Sequence, residues 1–162
     1  MITYKKGNLL DSNCDIIVHQ VNCQKVMGSG IAKQIRDRWS DVYSDYCNFI
    51  DYGYDNGVCR YSYDFLGSTQ FVFTNSNMIV VNFFSQDQYL PRGICHTNYE
   101  AFRTCCQNLK HNIKLRCIDR DSVIGFPYKI GCGLAGGDWA VVIKIIEEEL
   151  SEYNVEIWEY EN

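Results

Sequence analysis

Two glycine-rich segments have the spacing that most clearly suggests chemistry. They are Gly28-Ser29-Gly30 and residues 131–137, and each follows a predicted strand and opens a predicted helix. Such a loop lets the backbone approach a ligand closely and directs free amides at an anion, typically a phosphate. Two loops of this kind predict a diphosphate ligand, with tight turns alone as the alternative explanation of the glycines.

Named phosphate motifs do not fit these segments well. The first lacks the G-x-x-x-x-G-K-[ST] spacing of a P-loop, and Lys33 stands where a dinucleotide fingerprint has its third glycine. Gly131, Gly133 and Gly136 satisfy G-x-G-x-x-G, but they lie close to the end of the sequence. A classical dinucleotide-dependent oxidoreductase is therefore disfavoured.

A few titratable side chains near these loops are candidates for proton transfer. His19 ends a predicted strand just before the first loop, and imidazole titrates in the range that acid-base catalysis needs. A buried imidazole bonded to backbone is an equally open alternative. Asp138 is predicted to cap a helix. Asp87, in a polar stretch after a predicted strand, is a candidate second carboxylate at the rim of the ligand cleft. Cys132 is the thiol for which a lowered pKa is expected.

Composition restricts the class of protein. The 162 residues are 46% hydrophobic, which predicts one compact domain over residues 1–162. A net charge of −5 argues against general binding to nucleic acid or to a membrane surface. The nine cysteines contain no C-x-x-C pair, and no signal segment opens the sequence. These features predict a cytoplasmic protein without a metal or other cofactor.

Hydrophobic periodicity predicts alternating strands and helices, and hence a mixed α/β sheet. Predicted strands cover 2–4, 15–20, 58–65, 70–74, 78–84, 123–126 and 155–160. Predicted helices cover 31–39 and 41–49. A third helix should begin with a capping box from Thr97 to Glu100, and a fourth should follow Asp138 as its cap.

The loop sequences resemble those of macro domains. Residues 16–23 running into 27–32 resemble the first ligand loop of that family, and residues 130–139 resemble its second, diphosphate-binding loop. With residues 2–10 and the last strand, the resemblance covers essentially the whole chain. It implies a three-layer α/β/α macro domain with a central mixed β-sheet and an ADP-ribose cleft at the carboxyl ends of the strands.

The resemblance also implies ligand-binding residues. Those expected around the distal ribose and its phosphate are Asn22, Gly28, Ser29, Gly30 and Ile31. Those expected to wrap the diphosphate through backbone amides are Gly131, Cys132, Gly133, Leu134 and Ala135. Tyr160 matches an aromatic residue near the adenine, with Trp158 as the weaker candidate. Asn8 replaces an aspartate that accepts a hydrogen bond from the adenine amino group in many macro domains.

Within the family, the chain is most similar to the branch that includes the glutamate-ADP-ribose deacylases and the ADP-ribose 1''-phosphate phosphatases, and its pattern matches the phosphatases. Their pattern is matched by Gly7-Asn8, His19 and Val21-Asn22-Cys23. The implied reaction converts ADP-ribose 1''-phosphate to ADP-ribose and phosphate, with His19 and Asn22 as catalytic residues.

Two other functions stay open. One is a non-catalytic module that binds or sequesters ADP-ribose or a related NAD-derived nucleotide. The other is removal of ADP-ribose from an ADP-ribosylated macromolecule. The second is less favoured, because the lysine and aspartate of the related deacylases are absent near residues 81–86 and 131–135.

Overall fold

The computed structural model describes residues 1–161, which form one six-stranded sheet flanked by helices. The strands are β1 (Ile2–Lys6), β2 (Ile16–Val21), β3 (Thr69–Phe73), β4 (Ile79–Phe84), β5 (Val123–Pro127) and β6 (Asn154–Glu159). The helices are α1 (Gly30–Arg38), α2 (Ser40–Asp55), α3 (Tyr99–Leu115) and α4 (Trp139–Glu149). The strand order is β1-β6-β5-β2-β4-β3, and among the strand pairs within residues 1–161 only β3–β4 is antiparallel.

Side chains of β2 alternate between two hydrophobic cores. Ile16 and Val18 pack in the core that contains residues of α3 and α4, while Ile17 and Val21 pack in the core that contains residues of α1 and α2. This period of two is the expected geometry of a strand covered on both faces. The predicted three-layer α/β/α arrangement with a mixed sheet is therefore confirmed.

Two details of the predicted elements are wrong for local reasons. Residues 58–65 do not form a strand; instead, Ser62–Phe65 is a short 3₁₀ helix, because the Asp64 carboxylate accepts hydrogen bonds from the amides of Arg60 and Tyr61. Helix α3 is capped by Asn98, whose side chain accepts from the amide of Ala101, rather than by a box starting at Thr97. The predicted cap of α4 by Asp138 is confirmed.

Within residues 1–161, none of the helices combines the length and apolar character that crossing a bilayer requires.

Candidate functional site

A cavity of about 690 Å³ opens at the carboxyl ends of the parallel strands. It is lined by residues at or just after the ends of β1, β2, β4, β5 and β6, together with both glycine-rich loops. Open α/β sheets bind ligands at this edge. The sheet order places Asn8 and Tyr160 at one end of the cavity, here called the β6 end. It places Gln86 at the opposite end, the β4 end.

Asn22 lines the cavity and holds the first loop in shape. Its side-chain Oδ1 accepts hydrogen bonds from the amide of Gln24 at 2.9 Å and from the hydroxyl of Tyr46 at 2.9 Å. Its Nδ2 donates to the carbonyl of Val26 at 2.8 Å. Asn22 is buried, and its side chain makes several hydrogen bonds within and around the loop that precedes α1. It therefore stabilises the conformation of that loop.

The start of α1 supplies free amides to the same cavity. The predicted ligand residues Gly28, Ser29, Gly30 and Ile31 all line it. Within residues 1–161, the amides of residues 30–32 have no acceptor, as expected for the first turn of a helix. These donors and the helix dipole favour an anionic group at this position.

The second loop presents three consecutive amides to the cavity. Gly133, Leu134 and Ala135 line the cavity, and their amides lack an acceptor in the described part of the chain, residues 1–161. Gly131 also lines it, at a backbone φ of +71° that favours glycine. Consecutive free amides of this kind form an anion-binding concavity.

Cys132 is a correction to the predicted site. Its side chain and amide do not line the cavity: the amide donates to the carbonyl of Lys129 at 2.9 Å, and the thiol donates to the carbonyl of Ile130 at 3.3 Å. Burial, with the nearby carboxylate of Asp138, raises the pKa of Cys132 to about 11. The prediction of a lowered pKa is wrong, because desolvation of the thiolate outweighs the position near a helix start.

A polar cluster at the cavity holds the second loop, and its sequence signal is no more than polar residues at strand ends. We name it the Gln20 cluster; its members are Gln20, Ser85, Gln86 and Thr97. Gln20 donates to Gln86 and to Thr97, both at 3.1 Å, and accepts from the buried Ser85 hydroxyl at 2.7 Å.

The Gln20 cluster ends at the backbone of the second loop. The Thr97 hydroxyl donates to the carbonyl of Gly131 at 2.6 Å. A Cβ at position 131 would lie only 2.7 Å from the Gln20 amide oxygen and 2.9 Å from the Thr97 hydroxyl. The cluster therefore fixes the loop and explains why a glycine stands at its first position.

His19 lies outside the cavity, contrary to the catalytic role expected for it. The imidazole is fully buried on the α1 and α2 side of the sheet, where its Nε2 donates to Asn82 Oδ1 at 2.5 Å. Asn82 donates in turn to Gln70 at 2.9 Å, and we call these three residues the His19 cluster. Burial lowers the pKa of His19 to about 4. A neutral, enclosed imidazole away from the cavity cannot transfer a proton to a ligand bound there.

The β6 end of the cavity is aromatic. Trp158 and Tyr160 both line it, and the Trp158 indole donates to Glu156 at 2.9 Å, which fixes the ring. Tyr160 is 58% exposed. Asn8 lines the same end, but its side chain already caps the turn after β1 by accepting from the amide of Leu10 and donating to Asp11. An aromatic wall beside a polar side chain suits a purine ring.

Charge in the cavity has one sign. Arg92 and Lys129 line it, and no Asp or Glu does so among residues 1–161. Asp87 does not line the cavity; its carboxylate accepts from the side chain of Gln24 at 3.1 Å. The same residues contain no group of three or more side chains suited to holding a metal ion. A chain of net charge −5 thus has a cavity suited to an anion.

Sequence similarity to a curated protein covers a short part of the chain. No family model matches the chain. DNA ADP-ribosyl glycohydrolase of Mycobacterium tuberculosis is 44% identical over 46 residues, which are 28% of this chain and only 13% of the length of that protein.

Solved structures match over almost the full chain. A protein of unknown function from Bacteroides thetaiotaomicron is 25% identical with a TM-score of 0.80 over 98% of both chains. The macrodomain of Thermus aquaticus DarG is 24% identical with a TM-score of 0.74, over 100% of this chain and 99% of that one. Thermosipho africanus DarTG in complex with ADP-ribose is 17% identical with a TM-score of 0.74, over 96% of this chain and 41% of that one. The six-stranded sheet, its four helices and these matches show that the chain has the macrodomain fold.

Proposed function

We propose that the chain binds ADP-ribose in the cavity at the strand ends. The observation that carries the proposal is the convergence of free amides from the second loop and from the start of α1 on one cavity that holds two cations and no carboxylate within residues 1–161. The complex of Thermosipho africanus DarTG with ADP-ribose, which shares the fold, supports it.

The cavity suggests one orientation of the ligand. The diphosphate would accept hydrogen bonds from the amides of residues 133–135, since these are three consecutive free donors in the second loop. The adenine would then lie at the β6 end beside Trp158 and Tyr160, and the distal ribose at the β4 end near Asn22 and Gln86. A volume of about 690 Å³ is in the usual range for a small-molecule site.

Hydrolysis of ADP-ribose 1''-phosphate is the reaction we propose for this site. The observation that favours it is the charge of the lining, since two cations and, within residues 1–161, no carboxylate tolerate a further phosphate. Water attacks the terminal phosphorus as the bond from phosphorus to the 1'' oxygen breaks. One water proton goes to the released 1'' oxygen and the other stays on the phosphate. With His19 outside the cavity, no step is assigned to its imidazole.

Removal of ADP-ribose from DNA is the competing reaction, because the Mycobacterium tuberculosis relative is a DNA ADP-ribosyl glycohydrolase. Deacylase-type macro domains, by the family resemblance, use a lysine and an aspartate. At the corresponding neighbourhoods here, Gln86 and Ala135 line the cavity. Neither residue can supply the charge or proton transfer of the missing pair, which favours the phosphate ester as substrate.

Calorimetry with a charge-changing pair of variants tests binding. Leu134 is 57% exposed in the second loop, so substitution there should leave the fold intact. We expect ADP-ribose to bind the wild-type chain, and Leu134→Asp to weaken binding at least about tenfold by placing a carboxylate beside the diphosphate. Leu134→Asn, which matches the shape without the charge, should weaken it less. Absence of heat with wild type, or equal affinities of the two variants, would contradict the proposal.

Turnover is tested with two substrates in parallel. Wild-type protein is incubated with ADP-ribose 1''-phosphate while released phosphate is measured, and with an ADP-ribosylated oligonucleotide while released ADP-ribose is measured. We expect phosphate release that Leu134→Asp reduces. Release from the oligonucleotide alone would assign the glycohydrolase reaction instead, and binding without either product would assign a non-catalytic module.

A further inference from the structure

The loop between β4 and α3, residues 86–97, closes on itself at the β4 end of the cavity. Gln86 and Thr97 form an isolated antiparallel bridge at its base, and the amide of Asn98 donates to the carbonyl of Ser85 at 2.8 Å. The two ends of the loop therefore lie side by side, just after the carboxyl end of β4. In the strand order, β4 lies beyond β2, on the side away from β5 and β6. The loop thus stands where the distal ribose is proposed to lie.

The loop is also anchored to the second glycine-rich loop. The amides of His96 and Thr97 donate to the carbonyl of Ala135 at 2.7 and 3.3 Å, and His96 Nε2 donates to the carbonyl of Pro91 at 2.7 Å. Gly136 permits this approach, because a Cβ there would lie 2.8 Å from the carbonyl oxygen of Ile94. The backbone that carries residues 91–96 is therefore held beside the amides proposed to bind the diphosphate.

Arg92 is the cationic side chain of this loop and lines the cavity. It is exposed, and within residues 1–161 it has no ion-pair or hydrogen-bond partner, whereas Arg103 and Arg120 are paired with glutamates. Lys129, the other cation of the lining, follows β5 near the middle of the sheet. The two cations thus occupy different parts of the cavity.

We propose that Arg92 is a specificity-determining residue that binds the terminal phosphate of ADP-ribose 1''-phosphate; this rests on the function proposed above. The terminal phosphate is attached to the distal ribose and so extends toward the loop that carries Arg92. A guanidinium offers parallel N–H donors that match two phosphate oxygens. ADP-ribose itself lacks that group, so Arg92 favours the phosphorylated ligand.

The test compares the ratio of two dissociation constants across variants. Binding of ADP-ribose and of ADP-ribose 1''-phosphate is measured by competition with a fluorescent ADP-ribose. The titrations are run at low temperature to slow hydrolysis, and released phosphate is measured at the end of each one. In Arg92→Gln we expect the preference for the phosphorylated ligand to fall about tenfold. Arg92→Lys, which keeps the charge but not the paired donors, should retain part of the preference.

Lys129→Gln is the matched control, because it removes the other cation of the cavity. It should weaken both ligands by a similar factor and leave the ratio unchanged. An unchanged ratio in Arg92→Gln, or an equal fall of the ratio in Lys129→Gln, would overturn the assignment to Arg92 while leaving ADP-ribose binding intact. Failure of the wild-type chain to bind ADP-ribose would overturn the proposed function and this inference with it.

Discussion

The His19 cluster and the Gln20 cluster lie on opposite faces of β2 and end in different places. The His19 cluster runs beneath α2 to Gln70, whose side chain donates to the carbonyl of Asp45, and none of its members lines the cavity. The Gln20 cluster faces the other helical layer and ends at the carbonyl of Gly131. Adjacent residues of one strand therefore belong to separate polar systems.

The two clusters also differ in how completely their buried polar atoms are hydrogen-bonded. Within residues 1–161, the Nδ1 atom of His19 is the buried side-chain nitrogen or oxygen without a partner. Such a group lowers stability and does not contribute to a site it cannot reach. The members of the Gln20 cluster, in contrast, hydrogen-bond to one another and position a loop. We expect the first cluster to control stability as a function of pH and the second to control ligand affinity.

The largest expected effect is on acid stability. The pKa of His19 is about 4 when folded and about 6.5 when unfolded, so below pH 6.5 the unfolded chain binds the additional proton. The stability that His19 provides as a neutral group is complete above that range and is lost as the pH falls toward 4. Relative to His19→Gln, wild type should lose about 3 kcal/mol of unfolding free energy between pH 7.5 and 4.

Urea unfolding at a series of pH values measures this loss. His111→Gln, which removes an exposed histidine of α3, is the control and should follow the wild-type curve. Parallel curves for wild type and His19→Gln would contradict the neutral, buried state of His19.

The next effect concerns the link between the Gln20 cluster and the second loop. Thr97→Val keeps the shape but removes the donor to the Gly131 carbonyl and an acceptor for Gln20. Leaving these buried groups unpaired should cost about 2 kcal/mol of unfolding free energy and weaken ADP-ribose binding several-fold. Thr104→Val, at an exposed position of α3, should change neither quantity, as denaturation and calorimetry can determine.

A smaller stability change is expected from the loop glycines. Gly131→Ala would force a side chain into the left-handed region and against two members of the Gln20 cluster, so we expect a cost of about 1–2 kcal/mol. The added Cβ of Gly133→Ala meets no atom of residues 1–161 within 4 Å, so this variant should stay within about 0.5 kcal/mol of wild type. Equal melting temperatures for the two variants would argue against close packing at position 131.

The smallest effect is the one that separates the clusters most directly. His19→Gln at neutral pH should leave ADP-ribose affinity and phosphate release within about twofold of wild type, because the side chain does not reach the cavity. A loss of phosphate release with unchanged affinity would restore the catalytic role first expected for His19 and remove the distinction between the two faces of β2.

Much of this architecture is predictable from periodicity and loop sequence. The strand before each glycine-rich loop, the helix after it and the Asp138 cap all follow from local sequence. Period-two alternation also places His19 and Gln20 on opposite faces, but it does not say which face leads to the cavity. That choice depends on strand order and on which helices cover each side.

The remaining errors have similar causes in long-range contacts. Cys132 stands between glycines near a helix start, a pattern that indicates a reactive thiol, yet desolvation in the folded chain raises its pKa. Thr97 stands in the sequence pattern of a helix cap, but its hydroxyl donates to the carbonyl of Gly131, which lies 34 residues later in the chain. A one-dimensional pattern carries no information about such partners.

The close approach of Gly136 to the carbonyl of Ile94 limits which substitutions and loop exchanges the protein can accept. A side chain at position 136 would require the loop of residues 86–97 to retreat, and with it Arg92. We therefore expect either segment to tolerate exchange only when the other is exchanged with it. Grafting a foreign β4–α3 loop to alter ligand preference should succeed when the partnering glycine-rich segment is transferred with it.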